Sequence, residues 1–319
     1  MDSRFSEANS APGRGHGVSD GTEIGHVPVL LNQAIELLAV RRRGTYIDAT
    51  VGLGGHSWEI AKRLGPQGRL IGFDKDPEAL ARARARLAQP PAELVSDCPV
   101  IELVHASFAE IGQRAKPASV DGVLADLGVS SLQLGDAGRG FSFQAEGPLD
   151  MRMDPQSGLT AEQVVNRFDE RELADAIYEF GEERRSRRIA RAIVRARPIT
   201  TTAQLADVIS AAARPMNPAK RGIHPATRTF QALRILVNRE LDDLRELLRT
   251  APQVLQQGGR LAVISFHSLE DRMVKDAMRD GAHDGLFRLL TKKPVTAEKE
   301  EIERNPRSRS AKLRAAERV

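Results

Sequence analysis

The chain has 319 residues, of which 41% are hydrophobic and 28% are charged, and its formal net charge is +4. This length and composition predict a globular protein with one large core or two modest ones. The single cysteine, Cys98, excludes an internal disulfide framework, so we expect a cytoplasmic protein. No Cys/His spacing is typical of a metal site, so the sequence assigns no metal-binding residues. No apolar run could form a signal peptide or a membrane span, and residues 1–25 are predicted to be a disordered tail.

A short apolar strand that runs directly into a glycine-rich loop and a helix is the first motif with chemical meaning. It spans Thr45–Ser57, and Gly52, Gly54 and Gly55 let backbone amides approach a ligand without obstruction by a Cβ atom. A second apolar run ends at Asp74, where a carboxylate would accept hydrogen bonds from the ribose hydroxyls of an adenosine. The alternative is a tight turn of the kind found in any α/β protein.

The spacing of the loop favours one nucleotide-like cofactor over another. A dinucleotide site prefers G-x-G-x-x-G, but Ser57 stands where the last glycine should fall. Asp48 precedes the first glycine and suits a cationic ligand, such as the aminoacyl end of S-adenosylmethionine. The loop therefore indicates methyl transfer rather than dinucleotide chemistry.

Five apolar runs predict the strands of a parallel sheet. They lie at Tyr46–Ala49, Leu70–Phe73, Val100–Val104, Val120–Leu127 and Arg260–Phe266. The first four are separated by helical or loop segments, and their near-continuous apolar character is typical of strands covered on both faces. We expect a doubly wound α/β fold of the Rossmann-like type, with ligands at the carboxyl ends of the strands.

The strand rhythm stops after the fourth run and gives way to a helical pattern. We expect an inserted all-helical domain at 135–225, between a first part of the sheet domain at 26–134 and a second part at 226–319. The second part is predicted to begin with one long amphipathic helix over Thr229–Arg249.

Polar residues follow two of the predicted strands. Asp126, Ser130, Ser131 and Gln133 come after the fourth strand, and they indicate either a target-binding loop or a capped loop that only leaves the strand. His267 follows the fifth strand, but it lacks the partners of a catalytic triad, so a structural role is favoured over acid–base catalysis.

Two further segments could contact nucleic acid. In the loop after the fourth strand, Phe141 and Phe143 could stack on a base while Arg139 and Arg152 meet phosphates, or the two phenylalanines could anchor the loop to the core. The arginine-rich helix over 182–197 is predicted to be a solvated helix balanced by neighbouring acids, with contact to RNA phosphates as the alternative.

Eight sequence blocks together resemble one family of enzymes. They read His26-Val-Pro-Val-Leu-Leu, Tyr46-Ile-Asp-Ala-Thr-x-Gly-x-Gly-Gly-His-Ser, Asp126-Leu-Gly-Val-Ser-Ser, Arg139-Gly-Phe-Ser-Phe, Gly147-Pro-Leu-Asp-Met-Arg-Met-Asp, Gly181-Glu-Glu-Arg, His224-Pro-Ala-Thr-Arg-Thr-Phe-Gln-Ala and Ile264-Ser-Phe-His-Ser-Leu-Glu-Asp-Arg. The series runs from about His26 to Arg318 and resembles the 16S ribosomal RNA (cytosine(1402)-N(4))-methyltransferase family.

The resemblance implies a class I methyltransferase that binds S-adenosylmethionine and methylates the exocyclic N4 of a cytosine in 16S ribosomal RNA, within the small subunit near the decoding centre. It implies that the helical insertion helps to hold this RNA. It also assigns the cofactor to Gly54, Gly55, His56, Asp74, Phe108, Asp126 and Gln133. Both a monomer and a homodimer are compatible with the sequence.

The chemistry of the target explains why Asp126 is the predicted catalytic residue. The lone pair of N4 is delocalised into the cytosine ring, so the amine is a poor nucleophile unless hydrogen-bond acceptors such as Asp126 hold it. The chain lacks the Asp-Pro-Pro-Tyr motif that provides an aromatic clamp in many amino methyltransferases, so stacking on the target base is assigned to Phe141, Phe143 or Phe266. A nicotinamide dehydrogenase and a non-catalytic RNA-binding assembly factor are the alternative functions.

Overall fold

The computed structural model describes residues 28–90, 92–213 and 224–319, and the predicted tail at 1–25 and His26 lie outside the described residues. The helices are α1 Leu31–Leu38, α2 Gly55–Leu64, α3 Pro77–Leu87, α4 Ile111–Arg114, α5 Ser131–Gly135, α6 Ala161–Arg167, α7 Glu170–Gly181, α8 Ser186–Ala196, α9 Thr202–Ala212, α10 Thr227–Asn238, α11 Glu240–Val254, α12 Ser268–His283 and α13 Lys299–Arg304. The strands are β1 Thr45–Asp48, β2 Arg69–Asp74, β3 Val100–His105, β4 Val120–Asp126, β5 Leu255–Ser265, β6 Phe287–Leu289 and β7 Lys312–Arg318. Within this described part of the chain, no helix is both long enough and apolar enough to cross a bilayer.

The seven strands form one sheet in the order β3-β2-β1-β4-β5-β7-β6. The first five strands pair in parallel, whereas β7 is antiparallel to both β5 and β6. The predicted doubly wound, Rossmann-like fold is confirmed, and each of the five predicted strands is present. The sequence pattern did not reveal β6 and β7, because β6 has three residues and four of the seven residues of β7 are charged.

Two apolar cores lie on the two faces of the sheet, and a third lies outside it. On one face, residues of α11 and α12 such as Leu247 and Val274 pack on the strands. On the other face, residues of α1 and α2 such as Leu38 and Ile60 do so. The third core joins α6 to α10 with the loop that carries Phe141, so the helical segment has an interior of its own.

The predicted long helix over Thr229–Arg249 is wrong, because the chain breaks it into α10 and α11. Arg239 between them adopts a left-handed conformation with φ 53°. The two halves of the apolar stripe bury in different cores: Leu233 packs in the helical core, whereas Leu244 packs against the sheet. Periodicity alone could not reveal the break, since the stripe continues across it.

The break bears on the predicted domain division. The boundary predicted at residues 225 and 226 falls at the beginning of α10, whose apolar face belongs to the helical core. The structure thus places the passage between the helical core and the sheet at Arg239, and the division at residue 226 stays a prediction.

We expect truncation of a buried residue in the helical core to destabilise the protein. Leu173 on α7 has no exposed surface, so Leu173→Ala should lower the free energy of unfolding by about 2–5 kcal/mol, because it removes apolar contacts and leaves a cavity. Tyr178 on the same helix is 63% exposed, and Tyr178→Ala should change stability by less than about 0.5 kcal/mol. Urea unfolding followed by circular dichroism measures both, and equal losses would contradict the assignment of the buried face.

Candidate active site

A cavity of about 320 Å³ opens at the carboxyl ends of the parallel strands. The loops after β1, β2, β3 and β4 form one wall, and residues from α10, α11, α12 and the segment before β7 form the other. Six of the seven predicted cofactor residues line it, namely Gly55, His56, Asp74, Phe108, Asp126 and Gln133. The seventh, Gly54, is the N-cap residue of α2 directly beside the cavity. The structure therefore brings the predicted cofactor residues together in one place.

At Gly54 and Gly55 of the glycine loop, any side chain would cause backbone strain or a steric clash. Gly54 has a φ of 76°, in the left-handed region where a side chain is unfavourable. A Cβ atom on Gly55 would lie 2.3 Å from Cγ of Pro28. The backbone N–H groups at the beginning of α2 can therefore approach a ligand closely.

Asp48 does not face the cavity, which corrects the prediction that it contacts the aminoacyl end of the cofactor. Its side chain is fully buried below the loop, where Oδ2 accepts a hydrogen bond of 2.5 Å from the Ser57 hydroxyl and Oδ1 accepts one of 3.2 Å from the Thr50 N–H. Burial raises the pKa of Asp48 to about 6. Ser57, which had counted against a dinucleotide, thus ties α2 to the end of β1.

Asp74 lies at the end of β2 and lines the cavity, as the sequence predicted. Its Oδ2 accepts a hydrogen bond of 2.7 Å from the Gly52 N–H, and its Oδ1 accepts one of 2.8 Å from the Asp76 N–H. Burial raises the pKa of Asp74 to about 6, and the charges of Asp76 and Asp48 act in the same direction. Each oxygen keeps acceptor capacity for a ligand hydroxyl, because a carboxylate oxygen can accept more than one hydrogen bond.

Asp126 ends β4 between the glycine loop and the opposite wall. Its Oδ2 lies 3.7 Å from Nδ1 of His56, and its Oδ1 is buried and accepts no hydrogen bond from the described residues. Burial raises the pKa of Asp126 well above its usual value, and the charges of Asp48 and Glu270 add to the effect. Such an acceptor is costly to bury unless a ligand completes its hydrogen bonds.

The ring of His56 has one settled hydrogen bond. Nε2 lies 3.1 Å from the backbone carbonyl oxygen of Val29, which can only accept, so Nε2 carries a hydrogen. The ring is almost fully buried, and it places Nδ1 toward Asp126. The backbone of His56 thus belongs to the first turn of α2, and its ring lies beside the carboxylate of Asp126.

Asp76 is a buried junction that the sequence analysis missed. It is the N-cap residue of α3, and its Oδ2 accepts hydrogen bonds of 2.9 Å from both Nε2 of Gln133 and Nη1 of Arg139. Oε1 of Gln133 accepts a further bond of 2.9 Å from the Ser130 N–H in a capping box. The Asp76-Pro77 pair was a visible signal, since Asp before Pro is typical of a helix start.

Arg139 and Arg152 are not available for phosphates, contrary to the prediction. Arg139 pairs with Asp76 and donates to the backbone carbonyls of Arg152 and Met153 at 3.0 and 2.9 Å. Arg152 forms two hydrogen bonds with the carboxylate of Asp150, at 2.9 and 2.7 Å. Both side chains fix the long loop in place.

Of the three phenylalanines considered for base stacking, the cavity contains Phe266. Phe141 is 7% exposed in the helical core, below the guanidinium of Arg139. Phe143 packs its ring against His224 and Phe230, with centroid distances of 4.7 and 4.8 Å. Phe141 and Phe143 thus anchor the loop, which was the other possibility.

The opposite wall carries a second group of charged residues. Arg234 of α10 makes two hydrogen bonds of 2.8 Å to the carboxylate of Glu240 at the beginning of α11. Glu270 of α12 accepts a hydrogen bond of 2.8 Å from the N–H of Phe266. Glu270 falls within the block Ile264–Arg272 that the sequence analysis quoted, whereas Arg234 and Glu240 were missed, because neither has a distinctive spacing to the other site residues.

His267 has a structural contact that agrees with the favoured prediction. It is the N-cap residue of α12, where Nδ1 accepts from the Glu270 N–H at 3.4 Å. Donor atoms of Glu240, His267 and Glu270 lie within 4.8 Å of one another, a grouping that could hold a metal ion. Both carboxylate oxygens of Glu240 accept hydrogen bonds from the guanidinium of Arg234. The positive charge beside these three residues is therefore that of Arg234.

Comparison with known proteins identifies the family. The model of the MraW methylase family matches residues 23–319. The chain belongs to the MraW methylase family. This membership confirms the resemblance seen in the sequence and the predicted cofactor, S-adenosylmethionine.

Three relatives share much of their sequence with this MraW-family chain, and each is named ribosomal RNA small subunit methyltransferase H. The protein of Koribacter versatilis is 70% identical over 98% of this chain and 99% of its own length. That of Acidobacterium capsulatum is 64% identical over 92% and 98%. That of Sorangium cellulosum is 51% identical over 92% and 91%.

The residues present fit the methyl donor of the family. The close approach at Gly54 and Gly55, the carboxylate of Asp74 and the unsatisfied oxygen of Asp126 offer a backbone cradle, a hydroxyl acceptor and a negative charge for a sulfonium ligand. Phe108 adds an aromatic surface in the same cavity.

We expect Gly55→Ala to weaken cofactor binding, because the new Cβ would force the loop away from Pro28. The affinity for S-adenosylhomocysteine, measured by calorimetry, should fall about tenfold or more, since tenfold corresponds to a strain of about 1.4 kcal/mol. Gly135→Ala is the matched control, because a Cβ there meets no atom within 4 Å. Equal affinities for the two variants would contradict the role of the loop.

Proposed function

We propose that the protein is an S-adenosylmethionine-dependent methyltransferase of small-subunit ribosomal RNA, and that it methylates the exocyclic N4 of one cytosine of 16S RNA at the decoding centre. Family membership and the shared name of the relatives support the RNA class. The cytosine and its N4 atom follow from the resemblance of the motifs and from the polarity of the cavity. We place the enzyme in the cytoplasm, where ribosomes are assembled.

Asp126 is the observation that carries this proposal. A carboxylate oxygen without a hydrogen-bond partner among the described residues lies at the end of the central strand β4, in the wall of the cofactor cavity. An amine N–H is the donor that would satisfy it. Since N4 is the amine of cytosine, this acceptor selects the atom that receives the methyl group.

The cofactor would occupy the side of the cavity formed by the glycine loop. The ribose hydroxyls would donate to Asp74, Phe108 would cover the adenine, and the methionine part would lie along Gly54, Gly55 and His56 toward Asp126. When bound, S-adenosylmethionine supplies an electrophilic methyl group on a positively charged sulfur. The carboxylate of Asp126, which lines the cavity, would stabilise that charge.

Asp126 would act on the amine in two ways. By accepting an N–H hydrogen bond, it turns the nitrogen lone pair out of conjugation with the ring and toward the methyl group. Once methylated, the nitrogen would be acidic, and Asp126 would accept its proton at Oδ1 or Oδ2. Alignment in a cavity that excludes water lowers the rest of the barrier.

Phe266 is our candidate for stacking on the target base. It is the residue that follows β5, it lines the cavity, and Glu270 fixes its backbone N–H. A flipped cytosine needs one flat apolar surface when it leaves its stack. Phe266 therefore takes the place of the aromatic clamp that the fourth strand lacks.

The helical unit offers a cationic surface for RNA. Arg184, Arg187, Arg188 and Arg195 are exposed in or next to α8, and within the described ranges none of them has a carboxylate within 4.0 Å. In contrast, Arg191 pairs with Glu170 at 3.1 Å. Since most of these arginines are not balanced by acids, contact with RNA phosphates is favoured over the solvated helix that the sequence predicted.

Transfer of a labelled methyl group tests this function directly. We expect tritium from labelled S-adenosylmethionine to enter small ribosomal subunits isolated from cells that lack the enzyme, and digestion should yield N4-methylcytidine from a single position. Label in another nucleoside would contradict the assignment of N4. Binding of subunits without transfer would favour a non-catalytic assembly factor.

Asp126→Asn should abolish most of this activity. The amide keeps the size of the carboxylate but loses its charge and its capacity to accept a proton, so kcat should fall about 100-fold or more. Asp175→Asn, at an exposed position of α7, should leave kcat unchanged. Normal turnover by Asp126→Asn would exclude the acceptor role.

The affinity for the cofactor product should depend on pH through Asp74. With a pKa of about 6, its carboxylate is ionised above pH 6 and becomes protonated as the pH falls, and then it accepts ribose hydroxyls less well. Between pH 7.5 and 5, the Kd of S-adenosylhomocysteine should rise about tenfold through this group. Asp74→Asn should remove that share of the pH dependence, and an unchanged slope in the variant would contradict the assignment.

A further inference from the structure

Arg307 is a half-buried cation in the cavity wall that no sequence motif had singled out. It lies in a 3-10 turn over Pro306–Ser310, directly before β7, and its side chain reaches the cavity beside the loop that follows Asp126. Its Nη2 donates a hydrogen bond of 3.0 Å to the backbone carbonyl of Ser130. The other N–H donors of the guanidinium make no hydrogen bond to the described residues.

Of the two arginines that line the cavity, Arg234 forms an ion pair with a carboxylate and Arg307 does not do so with any described residue. Arg234 is bound by the carboxylate of Glu240 through two hydrogen bonds. Arg307 has no carboxylate within 4.0 Å among the described residues, although its charge and that of Asp126 act on each other across the cavity. The Arg307 side chain is half-buried, so its guanidinium is partly desolvated, and this burial lowers the pKa of Arg307. A partly desolvated cation with unused donors is suited to a ligand that offers acceptor oxygens.

We propose that Arg307 is a specificity-determining residue that donates hydrogen bonds to the carbonyl oxygen O2 of the target cytosine while Asp126 accepts from its amine. This inference rests on the proposed function and deepens it. Cytosine presents a donor at one end of its pairing edge and a carbonyl acceptor at the other. The cavity wall presents the complementary pair, an acceptor at Asp126 and donors at Arg307.

The pair explains how the enzyme rejects adenine. Adenine also has an exocyclic amine next to a ring nitrogen acceptor, so an amine acceptor alone does not distinguish it from cytosine. Adenine carries a C–H group where cytosine carries O2, and it would leave the donors of Arg307 without a partner. Loss of such a hydrogen bond in a buried site discriminates strongly between substrates.

The test combines a protein variant with a modified base. Small subunits would be reconstituted with RNA that carries either cytidine or 2-thiocytidine at the methylated position, because sulfur is a weaker acceptor than oxygen. We expect the thio substitution to lower kcat/KM of the wild-type enzyme about tenfold, a loss of about 1.4 kcal/mol. Arg307→Gln should lose about tenfold on cytidine RNA and should no longer distinguish the two RNAs.

Two controls separate this role from a structural one. Arg309→Gln changes an exposed arginine of the same turn and should keep the wild-type kcat/KM and the wild-type preference. Calorimetry should show that Arg307→Gln binds S-adenosylhomocysteine within about twofold of wild type, and Arg307→Lys should have the wild-type Tm. Wild-type transfer to cytidine RNA serves as the test of the proposed function itself, so its failure is distinct from failure of the Arg307 assignment.

Three results would overturn the assignment. An equal thio penalty in wild type and Arg307→Gln would mean that Arg307 contacts another group, such as an RNA phosphate. A tenfold loss of affinity for S-adenosylhomocysteine in Arg307→Gln would place the guanidinium on the carboxylate of the methyl donor. A lower Tm for both Arg307→Gln and Arg307→Lys, with the thio penalty retained, would show that the residue only holds the Ser130 loop.

Discussion

The buried carboxylate of Asp76 is the constraint on which the site depends. It begins α3, and it holds Gln133 of the loop after β4 and Arg139 of the long loop that leads into the helical unit. One side chain without solvent exposure thus joins the beginning of α3, the segment after β4 and the long loop that leads into the helical unit. Removal of any partner would leave a buried charge or donor unsatisfied, so the three segments are fixed together.

The second general feature is the concentration of carboxylates around one cavity. Asp48, Asp74 and Asp126 end or follow neighbouring strands, and burial raises the pKa of each of them. Such a group is unfavourable in an empty site but stabilises a cationic ligand, which agrees with a sulfonium methyl donor. In the same cavity wall, the guanidinium of Arg307 carries a positive charge that interacts with Asp126.

The sequence predicted the features that depend on local pattern. Buried parallel strands gave continuous apolar runs, and the acid at the end of β2 and the glycines after β1 were recognisable by position. The five strands and the place of Asp74 beside the cavity were therefore predicted correctly, although β5 begins five residues before the predicted run. Features that depend on the neighbours of a side chain were not visible: Asp48 points below the loop toward Ser57, and Arg139 is taken up by Asp76. Charge type and spacing could not reveal these partners, because they are distant in sequence and meet only in the folded chain.

The break at Arg239 makes α10 a wall that the helical core and the cavity share. α10 packs one face into the helical core and presents Arg234 to the cavity. There Arg234 forms an ion pair with Glu240, the first residue of α11 after the break. α11 is in turn tied to the sheet, since Asp243 accepts hydrogen bonds from Ser107 and pairs with Lys75. A displacement of α10 would therefore move a charged side chain in the cavity wall, so that the packing of the helical core and the order of the cavity are mechanically linked.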